Sequence, residues 1–360
     1  MPPIYWNLIL LFVWFIVNQN EYLVLYNKNM YKNKMIIDGH VHVSAQTDID
    51  YLIEFLEKTN TDKANIIACS HSKLFSLTPL ALKMKEKYPD RFYVFTAPDV
   101  KAYTEHKNDL GEHMAKYCSD LINKGCTGIK LLEGKPQMRK FYPIPDFDLE
   151  VWEPFFKWCE DEQIPILWHV NDPEDFWDNK NAPSFAVSQG WLYDDTYVNN
   201  EDQYSQVLNV LKRHPNLRID FAHFFFMSKQ LDRLSKILDE FKNVMIDITP
   251  GIEMYENFSQ DINKTRTFFE KYHNRIIYGT DIGGRCVLMG EEKIFDEQEN
   301  LRRPNIVRDF LSEEKEILIE SDGHYLIDRK PFMMKCLNLS DEKLEEILSL
   351  NFLSFIKERQ

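Results

Sequence analysis

His40-Val41-His42 follows the short apolar run Met35-Ile36-Ile37-Asp38-Gly39. Residues i and i+2 of an extended chain face the same side, so the two imidazoles are presented together at the tip of a strand. Neutral imidazoles in that arrangement suit a divalent cation. Three further candidates each follow a short apolar run far downstream: His169 after Pro165-Ile166-Leu167-Trp168, His223 after Ile219-Asp220-Phe221-Ala222, and Asp281 after Ile276-Ile277-Tyr278-Gly279-Thr280. Nitrogen and oxygen donors hold such ions at about 2.0–2.2 Å, so the fold must bring these side chains to one point. A cation held by three imidazoles and a carboxylate lowers the pKa of a bound water toward neutrality. Asp281 would take that water's proton, and His223 would stabilise the charge developing on a carbonyl oxygen. The outcome is hydrolysis of a C–O or C–N bond. The same residues can also bind a carboxylate and assist loss of carbon dioxide, with Asp281 or His223 passing a proton to carbon. The five side chains alone do not choose between these reactions.

The elements that must position them are legible as an alternation. Eight short apolar runs read as strands buried on both faces: Met35–Gly39, Ala64–Cys69, Phe92–Ala97, Gly128–Leu132, Ile164–Trp168, Leu217–Ala222, Val244–Ile248 and Ile276–Gly279. Amphipathic stretches lie between them, at Asp50–Lys58, Leu110–Asn123, Gln203–Arg213 and Lys229–Phe241, each with apolar residues at helical spacing. Strand and helix repeated eight times predict an α/β fold, a (β/α)8 TIM barrel. The strand ends of a barrel form a ring around one axis, which supplies the convergence a metal needs. His40 and His42 fall on the first strand, Lys130 on the fourth, His169 on the fifth, His223 on the sixth and Asp281 on the eighth. Two interruptions stand out. An elongated loop, Asn171–Asn200, follows the fifth strand and reads as a substrate lid. An insertion, Gly283–Leu339, follows the eighth, with a small strand expected at Ile317–Glu320. A helix over Asp341–Lys357 closes the chain.

Residues 35–360 are thus read as one barrel domain, and 360 residues with 44% apolar composition suffice for a large core. Lys and Arg total 43 against 57 acidic residues, a net charge of −14, which argues against nucleic acid as a partner. The six cysteines form no C-x-x-C pair and read as free buried thiols in a reducing compartment. Residues 1–34 are an apolar N-terminal extension. Its run Leu8–Val17 is shorter than the roughly 20 residues that span a bilayer, and no basic residue precedes it. It is read as an upstream extension outside the fold, with membrane anchoring through residues 4–17 as the alternative. A cytoplasmic location follows from the first reading and membrane association from the second. A small-molecule substrate is the expected partner, and a homodimer is the assembly entertained.

The ordered motifs Asp38-Gly39-His40-Val41-His42, Trp168-His169, Ala222-His223-Phe224, Tyr278-Gly279-Thr280-Asp281 and Ile347-Leu348-Ser349-Leu350-Asn351-Phe352 resemble the amidohydrolase superfamily over nearly all of 35–360. The branch they are similar to is the amidohydrolase-related one. It includes aminocarboxymuconate-semialdehyde decarboxylase, γ-resorcylate decarboxylase and several lactone hydrolases. The resemblance implies one divalent metal, with zinc as the expected ion, ligated by His40, His42, His169 and Asp281. Asp281 would also handle a proton, and His223 would stand beside the metal and polarise or protonate the substrate. Both hydrolysis and decarboxylation occur in that branch. Hydrolysis is the leading expectation, decarboxylation of an unsaturated or aromatic acid the alternative, and a catalytically silent scaffold the remaining one.

Lys130 is read as an ammonium that pairs with Asp281 or binds an anionic substrate group, in preference to a carbamylated bridge between two metals. Arg285 is a candidate partner for a substrate carboxylate. Trp177, with Trp191 and Tyr193, is a candidate pocket wall. Asp38 is expected to back one of the histidines, and Glu133 to lie in a loop. His106, His113, His214 and His273 read as surface residues, and His71 as a solvated loop residue.

Overall fold

The computed structural model describes residues 31, 34–45, 47–69, 76–180, 182–251, 253–283, 297–319 and 331–357. Eight strands form one sheet, each parallel to the next in chain order: β1 (Ile37–His42), β2 (Lys63–Ala68), β3 (Phe92–Thr96), β4 (Gly128–Gly134), β5 (Pro165–Val170), β6 (Arg218–Phe221), β7 (Val244–Asp247) and β8 (Ile276–Ile277). The segment around and beyond β8 is stitched back to β1. Gly39 N–H donates to the Tyr278 carbonyl at 2.9 Å, Asp281 N–H to the His40 carbonyl at 2.8 Å, and His42 N–H to the Ile282 carbonyl at 2.7 Å. The sheet is therefore a barrel, as the alternation predicts. Each strand lies within two residues of its expected bounds, except that β1 runs on three residues further, through His42.

The strands are buried on both faces because two layers cover them. Outside, the helix Ile49–Lys58 buries Leu52, Ile53, Phe55 and Leu56, and its first turn is fixed by the Asp48 carboxylate accepting from Asp50 and Tyr51 N–H. The helix Leu110–Asn123 has the expected bounds and buries Leu110, Met114 and Cys118. Inside, Ile37, Ile67, Phe95, Leu167 and Ile277 meet Phe352, Phe355 and Ile356 of the closing helix. That helix runs from Asp341 to Ile356 with a π turn at Glu346–Leu350. It is tied to β8 by Tyr278 N–H donating to the Ile347 carbonyl at 3.0 Å. The Asn351 amide also donates to the His273 and Ile276 carbonyls, both at 2.7 Å. The barrel is thus plugged at the end opposite the histidines.

The two interruptions have more structure than their composition announces. The loop after β5 carries a 3-10 turn, Glu174–Trp177, and a short helix, Ser184–Ser188, around an apolar cluster of Phe176, Ala186, Trp191 and Tyr193. The insertion after β8 contains the helix Glu297–Ser312 and an antiparallel pair, β9 (Glu316–Ile319) with β10 (Phe332–Lys335), where a single small strand was expected. The five described cysteines, Cys69, Cys118, Cys126, Cys159 and Cys336, are free and buried. Among the described residues no helix is long and apolar enough to cross a membrane, and residues 4–17 lie outside them. His214, expected at the surface, is buried, with its ring nitrogens 2.9 Å from Glu153 and 3.0 Å from Glu160.

The plug sets the cost of opening the barrel. Phe352, buried against Tyr93 and Phe95, is the side chain that fills it. Phe352→Ala is expected to lower unfolding stability by about 3–5 kcal/mol in urea denaturation followed by circular dichroism. A loss below 1 kcal/mol would show that the interior end does not depend on this ring.

Candidate active site

The upper end of the barrel gathers donors from β1 and from the turn after β8. His40 Nε2 and His42 Nε2 are 3.1 Å apart. Asp281 Oδ1 lies 3.2 Å from His42 Nε2 and 3.8 Å from His40 Nε2. Two donors at about 2.1 Å from one ion, at a tetrahedral angle, stand about 3.4 Å apart, so these three suit a shared cation. They are also the group of metal-ligating type found among the described residues, and all three are buried. Two imidazoles and a carboxylate are the donor set a borderline divalent ion prefers.

Protonation is arranged to match. Burial pushes the His40 imidazole well below its usual pKa, with the Lys130 ammonium adding to the effect. Burial likewise lowers His42, whose partner Asp281 opposes it. Both rings are neutral at pH 7, with lone pairs available for ligation. Burial works to raise Asp281, but the His42 hydrogen bond and the Arg303 guanidinium outweigh it and hold the carboxyl well below the carboxylate range. Arg303 Nη1 sits 3.4 Å from Asp281 Oδ2 and donates to the Thr280 carbonyl at 3.0 Å.

Asp247, at the end of β7, orders the wall behind His40. Its Oδ2 is 2.8 Å from His40 Nδ1, and its Oδ1 accepts from His223 N–H at 2.7 Å and Thr249 N–H at 3.1 Å. With Nδ1–H given to Asp247, His40 is left with its Nε2 lone pair facing His42, Asp281 and Lys130. Lys130 Nζ lies 3.2 Å from that same nitrogen. Gly279 makes the packing possible, since a Cβ there would stand 2.9 Å from His40 Cβ and 2.5 Å from Thr249 Oγ1.

His223 and the three phenylalanines after it, Phe224, Phe225 and Phe226, all have φ between 51° and 58°. Left-handed backbone costs about 1–2 kcal/mol per such residue. The cost is offset by the bond to Asp247 and by burial of Phe224 and Phe225, the latter stacked on Phe221 at 3.8 Å between ring centres. The turn places the His223 ring 5.5 Å from that of His40 and 5.2 Å from that of His169. His223 Nδ1 is 3.4 Å from the Thr249 carbonyl, and burial lowers its pKa to about 3.

The expected ligands thus meet in part. His40, His42 and Asp281 converge, while His169 stands on the adjacent wall, its Nε2 3.4 Å from Asp172 Oδ1. Lys130 approaches His40 more closely than the expected Asp281. Asp38 does not back an imidazole. Its carboxylate accepts from the backbone N–H groups of His40 and Thr280, both at 3.1 Å, and from the Thr280 hydroxyl at 2.5 Å, so it shapes the β1–β8 seam. Glu133 is not in a loop; it is a buried residue of β4, and burial raises its pKa to about 7. Trp177 is half-buried and packs on Tyr193 at 4.7 Å, within the loop after β5. Arg285 and His71 lie outside the described residues.

Sequence reasoning missed Asp247, Arg303, Thr249 and the group formed by Asp172, Lys135 and Tyr193. Asp247 was within reach, because it closes the apolar run Val244-Met245-Ile246 as Asp281 closes another. Asp172 follows His169 by three residues, a spacing that carries no signal without the loop's path. Arg303 had no local signal, being one of two consecutive arginines in a polar helix.

No model of a known protein family matches the sequence, and no curated protein matches it. Solved structures do share its fold. A probable 2-pyrone-4,6-dicarboxylic acid hydrolase from Acinetobacter baumannii, with citric acid bound, is 14% identical, with a TM-score of 0.50 over 89% of this chain and 99% of its own. The 2,6-dihydroxybenzoate decarboxylase from Rhizobium is 12% identical, with a TM-score of 0.54 over 90% and 99%. A dihydroxybenzoic acid decarboxylase from Polaromonas sp. JS666, with bound manganese and the inhibitor 2-nitroresorcinol, is 11% identical, with a TM-score of 0.52 over 91% and 98%. The chain therefore has the (β/α)8 barrel fold of these hydrolase and decarboxylase structures, the fold that its resemblance to the amidohydrolase superfamily implies.

Proposed function

We propose that this protein is a divalent-metal-dependent enzyme that hydrolyses a C–O or C–N bond of a small polar molecule. The observation that carries the reading is the convergence of His40, His42 and Asp281, all buried, at the strand ends of a barrel. His40, His42 and Asp281 would hold the ion, joined by His169 from the adjacent wall. When bound, it lowers the pKa of water and polarises a substrate oxygen. Zinc is the ion we propose, and manganese, bound in the Polaromonas structure, is the second to test.

The protein's own residues then have separate tasks. Asp281, kept ionised by His42 and Arg303, accepts a proton from the attacking water and returns it to the leaving group. His223, with Nδ1–H given to the Thr249 carbonyl, keeps Nε2 as an acceptor and suits proton transfer more than the stabilisation of an oxyanion expected from the sequence. Lys130, the buried cation nearest the site, and Trp177 in the β5 loop are the described candidates for substrate contact. Arg285 remains a candidate from the sequence.

The alternative, decarboxylation of an unsaturated or aromatic acid, is favoured by the likeness to the two dihydroxybenzoate decarboxylases. It uses the same proton carriers, with transfer to carbon in place of a leaving heteroatom. Turnover of lactones, amides and aromatic acids by the metal-loaded protein in oxygen-18 water separates the two. Hydrolysis places one label in the organic product, whereas decarboxylation leaves the organic product unlabelled and one carbon shorter.

Metal analysis of purified variants tests the assignments. His40→Ala and His169→Ala are expected to lose bound metal. His223→Ala is expected to keep it and lose about 10²–10⁴-fold in turnover; normal turnover would remove His223 from the mechanism. Lys130→Met should retain one metal per chain, and a drop from two to one would establish a binuclear site.

The carboxylate behind His40 has its own test. Asp247→Asn is expected to weaken zinc binding by about 10–100-fold in competition with a chromogenic chelator. Unchanged affinity would show that His40 needs no carboxylate to orient it.

A further inference from the structure

His169 and Asp172 are joined to a group that the proposed chemistry does not use. Asp172 Oδ1 accepts from Lys135 Nζ at 2.8 Å, and Oδ2 accepts from Lys135 Nζ at 2.7 Å and from the Tyr193 hydroxyl at 2.6 Å. Both Lys135 and Asp172 are buried, and the Lys135 ammonium lies 4.1 Å from the centre of the Trp191 ring. Three charge-assisted or hydroxyl hydrogen bonds arriving at one carboxyl group mark it as an ionised acceptor with no proton to give. The hydrogen between Asp172 Oδ1 and His169 Nε2, 3.4 Å apart, must then sit on the imidazole.

The backbone fixes where that carboxylate stands. Asn171, in left-handed backbone at φ 75°, donates its N–H to the Gly134 carbonyl at 2.9 Å and its side-chain amide to the Asn200 carbonyl at 3.2 Å. Asn200 returns a bond to the Asp172 carbonyl at 3.0 Å, and Gln203 donates to Asn171 Oδ1 at 2.8 Å. On the other side, Gly134 lets β4 come so close that a Cβ would stand 2.2 Å from the His169 carbonyl oxygen. Asp172 is thus held by β4, by the start of the helix Asn200–Arg213 and by the far end of the β5 loop.

From this geometry we infer that Asp172 is a positioning residue: it fixes His169 as the Nε2–H tautomer, leaving Nδ1 as the nitrogen able to ligate. Lys135 and Tyr193 hold Asp172 in place, so the β5 loop, through Tyr193, bears on the orientation of His169. The inference rests on the reading of His169 as a ligand, which the structure alone does not bring into the His40–His42–Asp281 group.

The tautomer can be read without any variant of the network. In the full-length, metal-free protein labelled with nitrogen-15 in histidine, long-range proton–nitrogen correlation at pH 7 should show His169 protonated on Nε2. The signal is assigned by its disappearance in His169→Gln. An Nδ1–H tautomer overturns the inference. Asp172→Asn should weaken zinc binding by about 10–100-fold by chelator competition, and Tyr193→Phe, which keeps the carboxylate, should weaken it less. Equal affinity of Asp172→Asn and the parent would also overturn it. If loss of the charge on Asp172 strands Lys135 and unfolds the protein, Lys135→Met combined with Asp172→Asn removes both charges and gives the same readout. A parent protein that takes up no stoichiometric zinc would refute the ligand reading itself, whatever tautomer His169 adopts.

Discussion

One buried carboxylate, Asp247, organises the functional end of this barrel. Its two oxygens serve two strands at once: Oδ2 meets the His40 imidazole of β1, and Oδ1 takes the backbone N–H of His223 after β6. A carboxylate accepts and does not donate when ionised, so each contact dictates a proton position on its neighbour. His40 is forced to carry its proton on Nδ1 and to present Nε2 to the axis. The left-handed turn at His223–Phe226 is anchored at its first residue, and that turn brings a second imidazole beside the first. This anchor, with the burial of Phe224 and Phe225, offsets the cost of four consecutive non-glycine residues in that conformation.

The seam between β1 and the segment after β8 is the second constraint, and it explains why the residues that could hold a metal cluster there. β8 itself pairs with β7 over only two residues, yet the chain beyond it continues alongside β1 through Asp281 and Ile282. Asp38 ties the two sides by accepting from Thr280 and His40 N–H groups together. Gly39 and Gly279 remove the side chains that would hold them apart, since a Cβ at Gly39 would stand 2.8 Å from Ile277 Cγ2. The approach that closes the barrel is thus the same one that sets Asp281 beside His42. Fold closure and site assembly are one event in this region.

The eight apolar runs made the barrel legible because parallel strands covered on both faces must be apolar nearly throughout. The site was legible where a chemical side chain that ended such a run joined the group, as with His40, His42 and Asp281; His169 and His223, marked in the same way, stand beside it. It was illegible where the partner came from elsewhere. Arg303 reaches Asp281 from a helix whose entry point no local pattern specified, and Lys135 reaches Asp172 only because β4 and β5 approach at Gly134. Asp38 misled for a related reason: its position two residues before His40 suggested a shared face, whereas the pairing of β1 with β2 shifts register between Asp38 and Val41 and turns its carboxylate to the backbone of the seam.

The charges inside the barrel give the arrangement its direction. Asp220, Asp247, Lys130 and Asp281 all lie in the buried interior, where isolated charges are costly. Burial, reinforced by Asp247, drives Asp220 well above the carboxylate range, and burial raises Asp247 as well. Two carboxyls flank His40, Asp247 behind it and Asp281 in front, and two buried cations face them, Lys130 beside His40 and Arg303 beside Asp281. The charges around the two imidazoles are therefore paired. Burial, with Lys130 adding to it, keeps both imidazoles neutral, and two neutral imidazoles with a carboxylate form a donor set suited to a divalent cation.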